Sequence, residues 1–330
     1  MPPSTLLKKL FSVGTRFGTV NPNVGARLGA LKEQNRHYLA HEYFNRDWLP
    51  MSFSKMKSWL DDAKLNFGCS AAYFDHVDAI NLSAEQQQML KDIPDRDFSE
   101  TVRDFIVNQQ FRRDYWVRGA RTLSALERVE QLRNLRFVLA APREDVSLKV
   151  TGVLGEANLH ESVYLPLLEL LSDYKIHTLL EIEQALQGAT DFSGVVQALI
   201  LLSGGGYIYL AQEDAVIKAA MPASTRLNHE LCMQARHSDA VTVLASPVTG
   251  GGIPLNRFQQ LFLLAHKDAS NKPEVAAKYV LDLLTAQGQR ILIEGKVPET
   301  VEAEYKEAVR IATVFHTKRL PILKALRVQC

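Results

Sequence analysis

Apolar residues recur at helical spacing along most of the 330-residue chain, and a few short stretches break that rhythm. Leu31, Tyr38, Leu39 and Phe44 open a helical block that runs from about 30 to 130. Within it, FSKMKSWLDDAKL (53–65) reads as an amphipathic helix, and LSAEQQQML carries the capping pair Ser83 and Gln86. FSETVRDFIVNQQFRRDYWVRG keeps Val102, Phe105, Ile106, Phe111 and Tyr115 in phase, which predicts a helix continuing to Gly119. Between these helices, NFGCSAAYF is short and rich in small residues, and it predicts a strand or buried extended segment.

After this block the pattern changes. RFVLAAP (136–142) and VSLKVTGVLG (146–155) are β-rich and separated by a turn at Arg143, Glu144 and Asp145. Three helical stretches follow, at 160–173, 178–187 and 192–203, with Thr178 and Glu181 forming a second capping box and Asp191 capping the third helix. GGGYIYLAQ then supplies a glycine turn and a strand. Three helices followed by a β-hairpin is the winged-helix order. The last hundred residues return to amphipathic helix. The expected fold is mainly α (α+β), divided into a basic segment or linker (1–34), a helical domain (35–135), a winged-helix-like domain (136–225) and a C-terminal helical region (226–330).

Charge narrows the function of that middle domain. A DNA-reading helix needs Lys or Arg for phosphates, yet none lies between Ile176 and Ile217, where Glu181, Glu183, Asp191, Glu213 and Asp214 are acidic. A protein-contact module without DNA binding is therefore expected. The whole chain is nearly neutral, with 38 basic and 37 acidic residues. Cys69, Cys232 and Cys330 have no paired spacing, which suits a reducing compartment, by default the cytoplasm. VVQALILL and LPLLELL are too short to span a bilayer and read as core. From Met1 to Lys32 there is no acid, but Lys8, Lys9, Arg16, Arg27 and Lys32 are basic, a pattern shared by transit peptides, basic linkers and the tail of a larger domain.

Four stretches carry candidate chemistry. His37 and His41 stand four apart on HYLAHEYFNRDW, but Asn45 occupies the place of a zinc protease's second histidine and no further ligand completes a metal site. Core packing by Tyr38, Tyr43, Phe44 and Trp48 is the simpler expectation. VTVLASPVTGGGIPLNRFQQLFLLA (241–265) has strand, glycine run and helix in nucleotide-loop order, without the spacing or the lysine such loops use. The glycines at 204–206 follow a helix and precede a strand, the wrong order for a phosphate cradle. FRRDYWVRGAR groups Arg112, Arg113, Arg118 and Arg121 near the expected helix end, where the macrodipole favours cations and Asp104 and Asp114 are within reach. An anionic partner or RNA is the functional alternative for that cluster.

Taken together, YLAHEYFNRDWLP (38–50), FSKMKSWLDDAKLNF and DFIVNQQFRRDYWVRG (104–119) resemble the methyltransferase regulatory domain. That domain follows the catalytic domain in bacterial S-adenosylmethionine-dependent methyltransferases similar to outer-membrane-protein lysine methyltransferases. The resemblance is clearest over 37–123 and continues more weakly to VFHTKRLPILKALRV at the C-terminus. It implies a docking core that includes Tyr38, His41, Glu42, Tyr43, Asp104, Phe105, Asn108, Phe111, Arg112 and Arg113. The chain departs from the family in lacking a catalytic domain, since the 36 residues before His37 cannot hold the class I fold that opens with a strand and an acidic-x-Gly-x-Gly loop. The expectation is a non-catalytic regulatory and substrate-positioning module. It would have no catalytic, cofactor or metal residues of its own, with S-adenosylmethionine bound only by a class I methyltransferase catalytic domain on another chain, and with a protein as substrate. The alternative is a stand-alone protein-interaction module; homo-oligomerisation stays open.

Overall fold

The structure, a computed structural model, describes residues 9, 13–43, 45–47, 49–268, 272–292 and 295–330. The chain divides into two compact units, Met1–Trp59 and Leu60–Cys330. Residues 1–8 and 10–12 of the basic segment, and both Phe44 and Trp48, lie outside the described residues.

The first unit contains α1 (Arg16–Val20), α2 (Pro22–Ala30), α3 (Arg36–Glu42) and nearly all of α4 (Phe53–Leu60). Pro22 sits at the first helical position of α2, where its missing N–H costs nothing. Asn35 caps α3 by accepting from the His37 and Tyr38 amides. The core expected around Tyr38 and Tyr43 is not formed on α3, which has no buried residue; the two rings meet edge-on at 6.5 Å instead.

In the second unit, β1 (Leu65–Ser70) occupies the extended segment read from NFGCS. Next come α5 (Asp78–Asn81), α6 (Ala84–Lys91) with the Ser83–Gln86 capping box, and α7 (Arg96–Ile106). The predicted helix to Gly119 stops thirteen residues early, as the bounds of α7 show. Asn108 adopts a left-handed conformation (φ 52°), and the Gln109 amide bonds back to the Asp104 carbonyl while the Asn108 amide bonds to that of Phe105. This is the Schellman closure, and asparagine is among the few residues that tolerate it cheaply. DYWVR then forms β2 (Asp114–Arg118), antiparallel to β1. The helical period of Phe111 and Tyr115 was coincidental; aromatic and β-branched alternation prevails once the helix is capped.

After α8 (Ala125–Arg133), β3 (Arg136–Leu139) organises the rest. A hairpin, β4 (Lys149–Gly152) and β5 (Gly155–Asn158), precedes α9 (Glu161–Leu171), β6 (His177–Thr178), α10 (Leu179–Ala185), α11 (Phe192–Gly204) and β7 (Ile208–Leu210). Gly152 is required there, because a Cβ would collide with the Ile80 carbonyl oxygen. The three helices and their caps at Thr178 and Asp191 form as expected. The β-hairpin expected after the third helix does not: a single strand, β7, leaves α11 and pairs with β3, giving the order β6-β3-β7.

The central strand β3 is buried on both faces. Phe137 and Leu139 enter a core with Leu167 and Leu171 of α9, Ile182 of α10 and Leu199 of α11. Val138 and Ala140, one step out of phase, enter a second core built by the C-terminal elements. These are α12 (Asp214–Ala235), the hairpin β8 (Val243–Ser246) and β9 (Gly251–Pro254), α13 (Arg257–Asp268), α14 (Pro273–Ala286), α15 (Val301–Val314) and α16 (Leu320–Ala325). Buried Asn228 of α12 grips β8 by accepting from the Ala245 amide (2.7 Å) and donating to its carbonyl (2.9 Å). The glycine run read as a phosphate loop belongs to this hairpin, with Gly251 opposite Ser246 and Gly252 opposite Ala245. The Gly250 amide is taken by the Ser246 carbonyl and the Gly251 amide by Thr249 Oγ1.

Between α15 and α16 the chain widens into one π turn, Phe315–Arg319. His316 packs edge-on against His266 of α13 with centroids 5.9 Å apart, and His266 Nδ1 and His316 Nε2 are buried without hydrogen-bond partners. Burial first, then the charges of Lys324 and His316, hold His266 below the ordinary imidazole value. A depressed pKa means that the unfolded chain takes up the proton first as pH falls. Stability is thus complete above about pH 6.5 and declines below it. The urea midpoint is expected to fall between about pH 7.5 and 5.5, and His266→Gln to flatten part of that slope; an unchanged slope in the variant would contradict the burial of a neutral imidazole.

Candidate functional site

Arg112 is the centre of the motif region. It enters from the segment just before β2, with its side chain 18% exposed, and meets three carboxylates: Glu100 (2.9 Å) and Asp104 from α7, and Asp114 (2.8 Å) from β2. Glu100 and Asp104 stand one helical turn apart, an arrangement that like charges disfavour unless a cation lies between them. A planar guanidinium with five donors can serve all three partners at once.

The neighbours extend the cluster. The Phe67 ring of β1 lies 5.5 Å from the Arg112 guanidinium and 5.3 Å from that of Arg96, which also donates to the Gly68 carbonyl. Arg103 donates to the Asp75 carbonyl at 2.8 Å. Ser70 Oγ donates to Asp75 at 2.6 Å, and Phe67 packs edge-on against Trp116 of β2. Burial alone would lower the Arg112 pKa, but hydrogen bonds to Asp114 and Glu100 and the charge of Asp104 more than reverse this. Burial raises the Asp104 carboxyl above its usual range in spite of Arg112, and the charges of Glu100 and Asp114 add to the effect.

The cavity among these side chains is about 130 Å³, bordered by Cys69, His76, Arg103 and Gln109. Ligand pockets generally run from ~300 to 1,000 Å³, so the space suits a few waters rather than a cofactor. The network is a clamp that fixes α7 against the β1–β2 pair.

What the clamp presents outward is apolar. Phe98 and Phe105 lie seven residues apart on one face of α7, and Phe105 is 81% exposed. Phe111 is 76% exposed, and Tyr115 and Val117 occupy the outward-facing positions of β2. Arg113 is exposed, its carbonyl accepting from the Ala71 amide, and Asn108 serves as the αL cap. Of the motif residues in this unit, Asp104 and Arg112 are therefore brought together, Asn108 shapes the turn, and Phe105 and Phe111 face solvent. Tyr38, His41, Glu42 and Tyr43 lie in the first unit on and just after α3, where His41 and Glu42 are exposed. Among the described residues, no three His, Cys, Asp or Glu side chains converge as a metal site.

Glu100, Phe67 and Arg96 escaped the sequence reading. The spacing of Glu100 and Asp104 was the available signal for the first of them. Phe67 is joined to the cluster only by the β1–β2 pairing, which sets it opposite Trp116, whereas Arg96 stands one helical turn before Glu100 on α7 and shared the same spacing signal.

This region has recognisable relatives. Residues 35–118 match a family described as a predicted methyltransferase regulatory domain, and that match takes in both α3 and the Arg112 clamp. An uncharacterised protein of Synechocystis is 40% identical over 312 residues, covering 94% of this chain and 60% of its own length. Two solved structures of PKMT2 from Rickettsia typhi, one of them in complex with AdoHcy, share the fold with TM-scores of 0.59 and 0.56 at 12% and 13% identity. They cover 98% and 96% of this chain, which spans 66% of theirs. The chain thus corresponds to under two thirds of the length of each relative.

Proposed function

We propose that the chain is the regulatory and substrate-positioning part of an S-adenosylmethionine-dependent protein methyltransferase, working in the cytoplasm with a class I catalytic domain that lies outside these 330 residues. The observation that carries this reading is the family match over 35–118, centred on a clamped scaffold that holds large aromatics in solvent. Phe98, Phe105 and Phe111 are large and exposed in the chain alone, which supports a partner-facing surface. Strand pairing supports the division of labour: among the described residues every pair is antiparallel and no sheet exceeds three strands. A class I catalytic core is a larger, mostly parallel sheet with the cofactor at its carboxyl edge. In PKMT2, whose structure holds AdoHcy, about a third of the chain lies outside the matched part.

The contribution to catalysis is positional. Aromatic anchors on a rigid support fix the orientation of the catalytic domain, and a substrate held at a defined distance from the methyl donor reacts in effect intramolecularly. Affinity capture from the native source tests this. Material retained by the tagged chain is expected to transfer tritium from S-adenosylmethionine to protein; a retained partner without methyl transfer would favour a stand-alone interaction module.

A further inference from the structure

A second concave feature lies outside the matched segment. A cleft of about 560 Å³ opens where β3, the segment before β6, the start of α12, the β8–β9 turn and the end of α16 meet. That volume is within the ~300–1,000 Å³ range of ligand sites. Its floor is apolar, formed by Tyr174, Ile176, Ile217 and Val248, and its rim is charged.

The rim charges are unevenly satisfied. Asp214 is engaged by Arg136, and Asp173 by His177 (3.0 Å) and Lys175 (3.6 Å). Lys324 and Arg327, both exposed at the end of α16, have no carboxylate partner among the described residues. Arg327 also occupies the left-handed position (φ 54°) of a Schellman closure, with the Val328 amide bonding to Leu323 and its own amide to Lys324. Glycine is favoured at that position by about 1 kcal/mol or more, since it has no Cβ to clash. The α16 dipole favours a cation at this end, but no ion pair among the described residues offsets the left-handed cost of the arginine. An uncompensated cation held at a conformational cost beside an apolar recess is a sign of a ligand.

We infer that this cleft holds an acidic segment of a polypeptide, with a hydrophobic side chain on Tyr174, Ile176, Ile217 and Val248 and adjacent carboxylates on Lys324 and Arg327. The cations lie at the exposed rim, which suits carboxylates that stay partly hydrated on a chain passing across the opening; a small carboxylate enclosed by the floor would leave them unused. The cleft lies wholly outside 35–118 and within the second unit, so the inference does not depend on methyl transfer.

Fluorescence anisotropy with a labelled octapeptide alternating Glu and Leu tests it, using the full chain at low ionic strength. The wild type is expected to bind this peptide about tenfold or more tighter than one alternating Lys and Leu, with affinity falling as salt rises. The double variant Lys324→Glu, Arg327→Glu is expected to lose about tenfold, and Ala325→Trp, which obstructs the cleft from a lining position between the two cations without touching charge, a similar amount. Both should keep the wild-type melting midpoint; if the charge-reversed protein unfolds, Ala325→Trp decides. Equal binding of the two peptides, binding unchanged in the variants, or no binding by the wild type would overturn the assignment. Octanoate displacing the peptide at lower concentration than unlabelled peptide does would also overturn it, in favour of a small carboxylate.

Discussion

Arg112→Ala is expected to destabilise the second unit by about 3 kcal/mol or more, because it leaves three partly buried carboxylates facing one another with no shared cation. The loss exceeds that of a surface ion pair, typically below about 1 kcal/mol, since the guanidinium is largely withdrawn from solvent and hydrogen-bonds all three. Arg112→Lys should recover only a fraction, a point charge being unable to reach three acceptors in one plane. The pH dependence follows from the sign of the perturbation. In the alanine variant the stranded carboxylates have raised pKa values, so the folded state takes up protons before the unfolded one as pH falls. The deficit against wild type should therefore be full at neutral pH and narrow towards about pH 4.5. Urea denaturation of both proteins at several pH values measures this. A constant deficit would mean that Arg112 acts by packing on Phe67 rather than by charge.

The second large effect is expected in binding and not in folding. Phe105→Ala and Phe111→Ala remove exposed rings, so each should change stability by less than about 0.5 kcal/mol. If these rings are the anchors of a partner interface, each loss should weaken the partner by about 2 kcal/mol, a factor of roughly thirty. Capture of methyl-transferring material would then fall sharply with either variant while melting curves coincide with wild type. Equal capture by the wild type and both variants would move the interface elsewhere on the chain.

Much of the architecture was legible because local rules agreed with the tertiary outcome. The capping boxes at Ser83 and Thr178, the cap at Asp191 and the apolar periods of α9, α10 and α11 each specify a helix without help from distant residues. Errors arose where a local pattern was ambiguous. Phe111 and Tyr115 fit a helical period and a strand alternation equally, and the left-handed turn at Asn108 decides between them. The strand and glycine run at 243–254 fit a nucleotide loop or a hairpin, and backbone pairing to Ser246 and Ala245 decides. The hairpin expected after α11 was displaced by β3, a strand from before all three helices, which no local signal could announce.

The candidate site was legible only in its sequence-local half. Asp104 and Asp114 were readable as partners of Arg112 because they lie within ten positions of it. Glu100 and Arg96 were hidden in plain helical spacing, and Phe67 depends on a non-local strand pair. The side chains offered as docking residues divide by physics into two kinds: Asp104, Asn108 and Arg112 build the support, and Phe105 and Phe111 have no structural work to do where they stand.

The most direct measurement adds the purified 330-residue chain to the class I methyltransferase domain recovered by capture and follows tritium transfer from S-adenosylmethionine to a protein substrate. The account predicts that the chain lowers the KM for the protein substrate by tenfold or more, on the order of the ~1.4 kcal/mol that one well-made positioning contact supplies, and leaves the KM for S-adenosylmethionine unchanged. Transfer that proceeds at the same rate and KM with and without the chain would contradict it.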